Sequence, residues 1–170
     1  MPQHFIVSFI GNDRTGLVEE VADTIRGHGG NWLESQLSHL EGKFAGLILI
    51  DLPSAEASAL EHGLTNLPSG RASVRVTSVV SNALTSSANQ SLELMGPDRQ
   101  GIVKEISRAL SDVDINIVAM DSSVENAAFT GEPMFKAKLD VSIPSGVDLT
   151  QLQDRLDSIA DAMMLEIDLH

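Results

Sequence analysis

The stretch GNDRTGLVEE, residues 11–20, returns as GPDRQGIVKE, residues 96–105. A strand-to-helix turn written twice in 170 residues restricts the chain to folds that use one unit twice. Aligning Gly11 with Gly96, an offset of 85, brings Gly16 onto Gly101, Leu17 onto Ile102, Val21 onto Ile106, Ile25 onto Leu110 and Asn31 onto Asn116. The offset then grows to 91, where Phe44 meets Phe135 and Pro53 meets Pro144. The six extra residues fall near positions 126–134, a stretch with Gly and Pro that predicts a longer loop. At offset 92, Ala57, Leu60, Leu64 and Leu67 meet Leu149, Leu152, Leu156 and Ile159.

Each copy reads strand, helix, strand, strand, helix, strand. The first strands are predicted over residues 5–10 and 92–95, with Val7, Phe9, Leu92 and Leu94 facing one way and Ser8 and Glu93 the other. Leu17, Val18, Val21 and Ile25 form an apolar stripe at helical period, as do Ile102, Val103, Ile106 and Leu110. Gly27, Gly29 and Gly30 stop the first helix, and Asp112-Val113-Asp114 stands in their place in the second copy. Residues 135–143 alternate apolar and polar, and Pro53 and Pro144 close the third strands and open the second helices. The last strands are predicted over 72–80 and 165–169. A βαββαβ unit with its apolar faces turned one way gives a four-stranded antiparallel sheet with two helices on one face. The fold class is α+β, two ferredoxin-like domains, 1–80 and 91–170, joined by a polar linker at 81–90. A domain of this size buries roughly 60–65% of its unfolded-chain surface, so two units gain from packing together.

Composition removes several functions. There is no cysteine, which eliminates disulfides, thiol nucleophiles and iron–sulfur clusters and fits a reducing compartment. The formal net charge is −13: residues 1–80 hold 5 basic and 9 acidic residues (−4), the remainder 6 and 15 (−9). Such a protein repels phosphate backbones, and five Phe, one Trp and no Tyr leave little for base stacking. We therefore expect no direct nucleic-acid contact and, if genes are regulated, a protein intermediary. The start MPQHFIVSFIGNDR carries no basic leader and no long apolar stretch, so no signal peptide or membrane span is expected and the location is cytoplasmic. No hydrolase elbow, phosphate loop, dinucleotide fingerprint or zinc-protease pair occurs, so no catalytic residue and no cofactor is assigned. Asp112-Val113-Asp114-Ile115-Asn116 imitates a calcium loop but has Ile117 where glycine is needed and Ser123 where a bidentate Glu belongs. His4, His28, His39, His62 and His170 show no helical ligand spacing and read as surface or network histidines, and no metal ligand is assigned. Asp154, Asp157 and Asp161 read as a solvated helix face.

The repeated Gly-x-Asp-Arg-x-Gly turn admits two readings. In the geometric one, the first glycine reverses the chain, the Asp caps the helix, and the second glycine lets helix and sheet approach. In the functional one, the helix start offers free N–H groups and partial positive charge to a small carboxylate. Asp13 or Asp98, with Asn31 or Asn116, then takes an ammonium group, while Arg14 and Arg99 are free to hold a carboxylate or to stand exposed. Asn is a poor strand residue, so its recurrence in register either serves a ligand or only ends the helix connection.

These residues resemble the ACT domain: a βαββαβ unit with a strand–G-x-D-R-x-G-[IL]-V–helix turn and a following Asn. Two such units in tandem resemble the glycine cleavage system transcriptional repressor family. Residues 31–44, NWLESQLSHLEGKF, and the longer second middle loop are similar to that family too. The resemblance implies regulation without catalysis. It implies a ligand, glycine or another small amino acid, held between the helix turn of one domain and a strand of its neighbour. It implies a homodimer, and action on a basic DNA-binding activator whose association glycine weakens; the charge of −13 suits a basic partner. Carried over residue by residue, Gly11, Asn12, Asp13, Arg14, Thr15, Gly16, Leu17 and Asn31 form the first candidate ligand site. Gly96, Asp98, Arg99, Gln100, Gly101, Ile102 and Asn116 form the second. Thr15 and Gln100 stand where many members have proline. The rival readings are a ligand-independent interaction module and a regulatory fragment of an ACT-containing enzyme such as formyltetrahydrofolate deformylase.

Overall fold

The computed structural model describes residues 2–80 and 87–170. The chain divides into two compact units, Met1–Asn82 and Ala83–His170. The first six positions of the linker expected at 81–90 lie outside the described residues. Residues 87–90 are strand, paired to Pro144 through Val141.

Domain 1 runs β1 (Pro2–Asn12), α1 (Leu17–Gly27), β2 (Asn31–Leu40), β3 (Lys43–Pro53), a 3-10 turn (Ser54–Glu56), α2 (Ala57–Thr65), a ribbon of β4 (Asn66–Leu67) and β5 (Gly70–Arg71), and β6 (Ser73–Ser78). Domain 2 runs β7 (Ser87–Pro97), α3 (Ile102–Ser111), β8 (Asn116–Asn126), β9 (Pro133–Pro144), α4 (Leu149–Met163) and β10 (Glu166–Leu169). The sheets are β2-β3-β1-β6 and β10-β7-β9-β8, antiparallel throughout. Each is the ferredoxin-like βαββαβ sheet that the repeat predicts.

The internal offsets reappear as strand register. Val7 pairs with Ile48 and Leu92 with Leu139; Gly11 pairs with Phe44 and Gly96 with Phe135. Both second strands slip at the same place, between Trp32 and Glu34 and between Ile117 and Ala119. The six extra residues of the second copy fall between Glu125 and Met134, as one further strand pair, Asn126 with Pro133, and a connection 127–132 that is four residues longer than its counterpart 41–42. Domain 1 instead turns on Glu41 (φ 47°) and Gly42 (φ 74°), a two-residue hairpin whose left-handed pair matches strand twist.

One core fills each domain. Phe5, Val7, Phe9, Ile48, Ile50 and Leu52 on the sheet meet Leu17, Val21 and Ile25 of α1 and Leu60 and Leu64 of α2. In domain 2, Leu92, Leu94, Leu139 and Val141 meet Ile102, Ile106 and Leu110 of α3 and Leu152 and Leu156 of α4. Fully burying one such side chain stabilises by about 1.5–3 kcal/mol. Val18 and Val103, counted in the predicted stripes, are instead 44% and 41% exposed. Positions 17, 21 and 25 point at the sheet, and a residue 100° round the helix from Leu17 falls on its flank.

The ends of α1 and α3 solve one problem with different residues. Gly30 N–H donates to the Ile25 carbonyl at 2.9 Å, and Ile115 N–H to the Leu110 carbonyl at 3.0 Å. Each such closure needs a left-handed residue just before it: Gly29 at φ 74° and Asp114 at φ 59°. Asp112 beside it pairs with Arg155 at 3.0 Å. Pro144 ends β9 but does not open α4. Asp148 does, its carboxylate accepting from Thr150 N–H (2.9 Å) and Gln151 N–H (3.3 Å). Asp148→Ala is expected to destabilise domain 2 by about 1 kcal/mol in urea unfolding, with m unchanged.

Candidate functional site

The repeated turn occupies equivalent places in the two domains. Asp13 N–H donates to the Gly42 carbonyl, and Asp98 N–H to the Pro133 carbonyl, both at 2.9 Å. Each turn is thereby clipped to the start of the third strand. Gly16 and Gly101 are the N-caps of α1 and α3, left-handed at φ 87° and φ 97°. Neither helix start has a side-chain cap, so Asp13 and Asp98 do not cap as the sequence suggests. A left-handed N-cap turns the helix start away from the preceding Asp, leaving the N–H groups without it.

The two glycines exchange the roles expected of them. A Cβ on Gly16 or Gly101 would meet nothing within 4 Å, so backbone sign and not close approach requires glycine there. Gly11 and Gly96 are strand residues whose φ is not positive. A Cβ on Gly96 would lie 2.6 Å from Leu165 Cδ2 and 2.7 Å from the Met164 carbonyl oxygen, and one on Gly11 would lie 3.1 Å from Phe9 Cζ. Close approach belongs to the first glycine.

Around this shared backbone the side chains differ. In domain 1, Arg14 is half-buried and pairs with Glu20 at 3.0 Å, and the Ser69 hydroxyl donates to the same carboxylate. The Ser69 hydrogen bond is the largest influence and, with the hydrogen bond and charge of Arg14, holds the Glu20 carboxyl below its ordinary value against the opposing effect of desolvation. Asp13 faces His39 at 3.6 Å, and Lys43 donates to Asn12 Oδ1. In domain 2, Arg99 is exposed, its nearest partner is Met164 Sδ at 3.8 Å, and it has no ion pair among the described residues. Asp98 and Gln100 are exposed beside it, as Thr15 is in domain 1. Leu17 and Ile102 bury their side chains in the cores (3% and 2% exposed) and offer a ligand backbone alone.

Asn31 and Asn116 do not join their own turns. Asn31 pairs with Asp51 while Asn12 pairs with Lys43, eight residues along β3, a separation of about 26 Å at strand rise. Asn116 pairs with Ser142 while Pro97 pairs with Met134, the same spacing along β9. The strand leaves the sheet end where the helix lands, opposite the turn. Within one domain a single amino acid therefore cannot touch both Asp13 and Asn31, or both Asp98 and Asn116.

Sequence reading missed Glu20, Ser69, His39 and Lys43. Glu20 had a trace, since it aligns with Glu105, but Ser69 arrives from the β4–β5 turn and only folding places it. No group of three metal-ligating side chains gathers among the described residues. No described helix is long and apolar enough to cross a membrane.

Family models for the ACT domain match residues 3–72 and 84–163. The chain belongs to the ACT-domain family and carries two such domains in tandem. Among curated protein sequences none matches it. Its fold is similar to that of an unknown protein from Galdieria sulphuraria, at 25% identity and TM-score 0.85, covering 100% of this chain and 98% of that one. It is also similar to a structure provisionally assigned as a glycine cleavage system transcriptional repressor, at 19% identity and TM-score 0.71, covering 100% and 97%.

Two outcomes follow from this geometry. Gly101→Ala should destabilise by about 1–2 kcal/mol through its left-handed backbone, whereas Asp98→Ala, which caps nothing, should change stability by less than about 0.5 kcal/mol; parallel thermal unfolding compares them. Glu20 has a depressed folded-state pKa, so its contribution is present above the ordinary carboxylate range and is lost as pH falls through that range toward the depressed value. Ser69→Ala should move the Glu20 carboxyl titration upward in an NMR pH series; an unchanged midpoint would contradict the contact.

Proposed function

We propose that the protein is a cytoplasmic, amino-acid-responsive regulator without catalytic activity, and that its output is a changed affinity for a protein partner. The observation that carries this reading is the helix-start turn built twice, with no side-chain cap at Gly16 or Gly101; in domain 1 the Leu17 N–H already donates to the Arg14 carbonyl at 3.3 Å. Free N–H groups with partial positive charge suit an α-carboxylate, and the adjoining Asp suits an ammonium group. The ligand class is then a small α-amino acid, glycine among them. The separation of Asp98 from Asn116 supports a site completed by a strand of a neighbouring domain. A ligand shared between domains alters their association, which is how binding becomes output.

The domain 2 turn fits this role better, because Arg14 is already neutralised by Glu20 whereas Arg99 has no carboxylate partner among the described residues. The domain 1 turn fits a structural role, as an interaction module would use it. A net charge of −13 supports a basic partner in place of nucleic acid. Together with the fold likeness to the provisionally assigned repressor, this leads us to propose negative regulation of glycine cleavage genes through a DNA-binding activator.

Isothermal titration of the purified protein with the twenty amino acids tests the sensing step. Saturable heat with glycine or another small amino acid is expected, weakened about tenfold or more by Arg99→Ala and little by Arg14→Ala. No heat and no thermal shift with any amino acid would leave only the interaction-module reading.

A further inference from the structure

We propose that the open face of the domain 1 sheet is a dimerisation surface whose occupant is the same face of a second copy of this chain. The inference goes beyond the amino-acid reading and does not rest on it. On β1, residues 5, 7 and 9 face the core, so residues 6, 8 and 10 face away from it. Ile6 pairs there with Leu49, Ser8 with Leu47 and Ile10 with Ala45. Leu47 is 48% exposed, Ile10 46% and Leu40 of β2 75%. These side chains lie diagonally to one another on adjoining strands, with Ser8, Gln36 and Ser38 between them on the same face, so they are neighbours and not scattered exposures. A shallow hollow of about 540 Å³ opens over part of it, lined by Ser8, Ile10, Ala45, Leu47 and Arg75 among others.

The equivalent face of domain 2 is built for water. Glu93 there pairs with Lys138, and Asp168 and Asp121 flank that pair on the neighbouring strands. Laying those carboxylates on Ile6 and Leu49 would strip their water without replacing it. Like against like is the favourable match for the domain 1 face.

Its charges fit a twofold. Glu34 lies on this face on edge strand β2, opposite Leu49; Arg75 lies on it on edge strand β6, opposite Ser8. Neither has an ion pair among the described residues. Two copies stacked about an axis along the strands set β2 of one over β6 of the other, one cross-strand row apart, within reach of an arginine side chain. Glu34 then meets Arg75 twice. Four strands at about 4.8 Å spacing and nine residues of length give a face of roughly 500 Å² per copy. The pair buries about 1,000 Å², the lower bound for a specific interface.

Sedimentation velocity on the full chain at micromolar concentration tests this. The expected species has twice the chain mass. Leu47→Glu should yield the monomer, and Arg75→Glu should raise the dissociation constant about tenfold or more. Adding Glu34→Arg to Arg75→Glu should restore the dimer, and Lys138→Glu on the domain 2 face should leave it intact. The charge swap decides the question even if Leu47→Glu fails to fold. A wild-type monomer throughout, a dimer indifferent to Arg75→Glu, or one dissociated by Lys138→Glu overturns the proposal.

Discussion

Each domain depends on one left-handed residue between its first strand and first helix. Gly16 at φ 87° and Gly101 at φ 97° turn the chain so that the helix falls back across the sheet it has just left. Leu17, Val21 and Ile25 then reach Phe5, Val7 and Phe9, and Ile102, Ile106 and Leu110 reach Leu92 and Leu94. A residue with a Cβ adopts this conformation only at a cost comparable to a large part of a small domain's margin. The same backbone sign leaves the helix start without a side-chain cap. The folding device and the candidate anion site are therefore one feature.

Duplication preserved that backbone and let the side chains diverge. The register pairs, the slips at residues 33 and 118 and the turn-to-hairpin hydrogen bonds are shared. Around them, domain 1 closes its arginine into a clamp with Glu20 and Ser69 and keeps an aliphatic open face. Domain 2 leaves Arg99 exposed and charges its open face. Two copies with one fold and unlike surfaces suit a division of labour, one surface for association and one turn for a ligand.

Much of the fold was legible because its signals are local or periodic. The offsets of 85 and 91 are the register itself, since inserted residues must go in at the turn end of the hairpin, here between Glu125 and Met134, to keep the strands in step. Residues 87–90 read as linker because Ser, Ala, Asn and Gln lack β preference; pairing with β9 overrides that weak preference. The Asp of the turn looked like a cap because composition cannot report the sign of φ at the glycine three residues after it. Asp148, with the same side chain in an extended backbone, caps α4.

Sequence alone determined that there are two βαββαβ domains, which faces are apolar, where the turns fall and that there is no cysteine thiol. Those properties follow from residue identity and spacing, which fix hydrophobic period and backbone preference before any long-range contact forms. Only tertiary structure decided that Asn31 lies about 26 Å from Asp13. It alone brought Ser69 to Glu20, and it set the glycine roles as left-handed turn and close approach. Distance between residues near in sequence, and contact between residues far apart in it, arise from how strands cross and return, which no local pattern encodes.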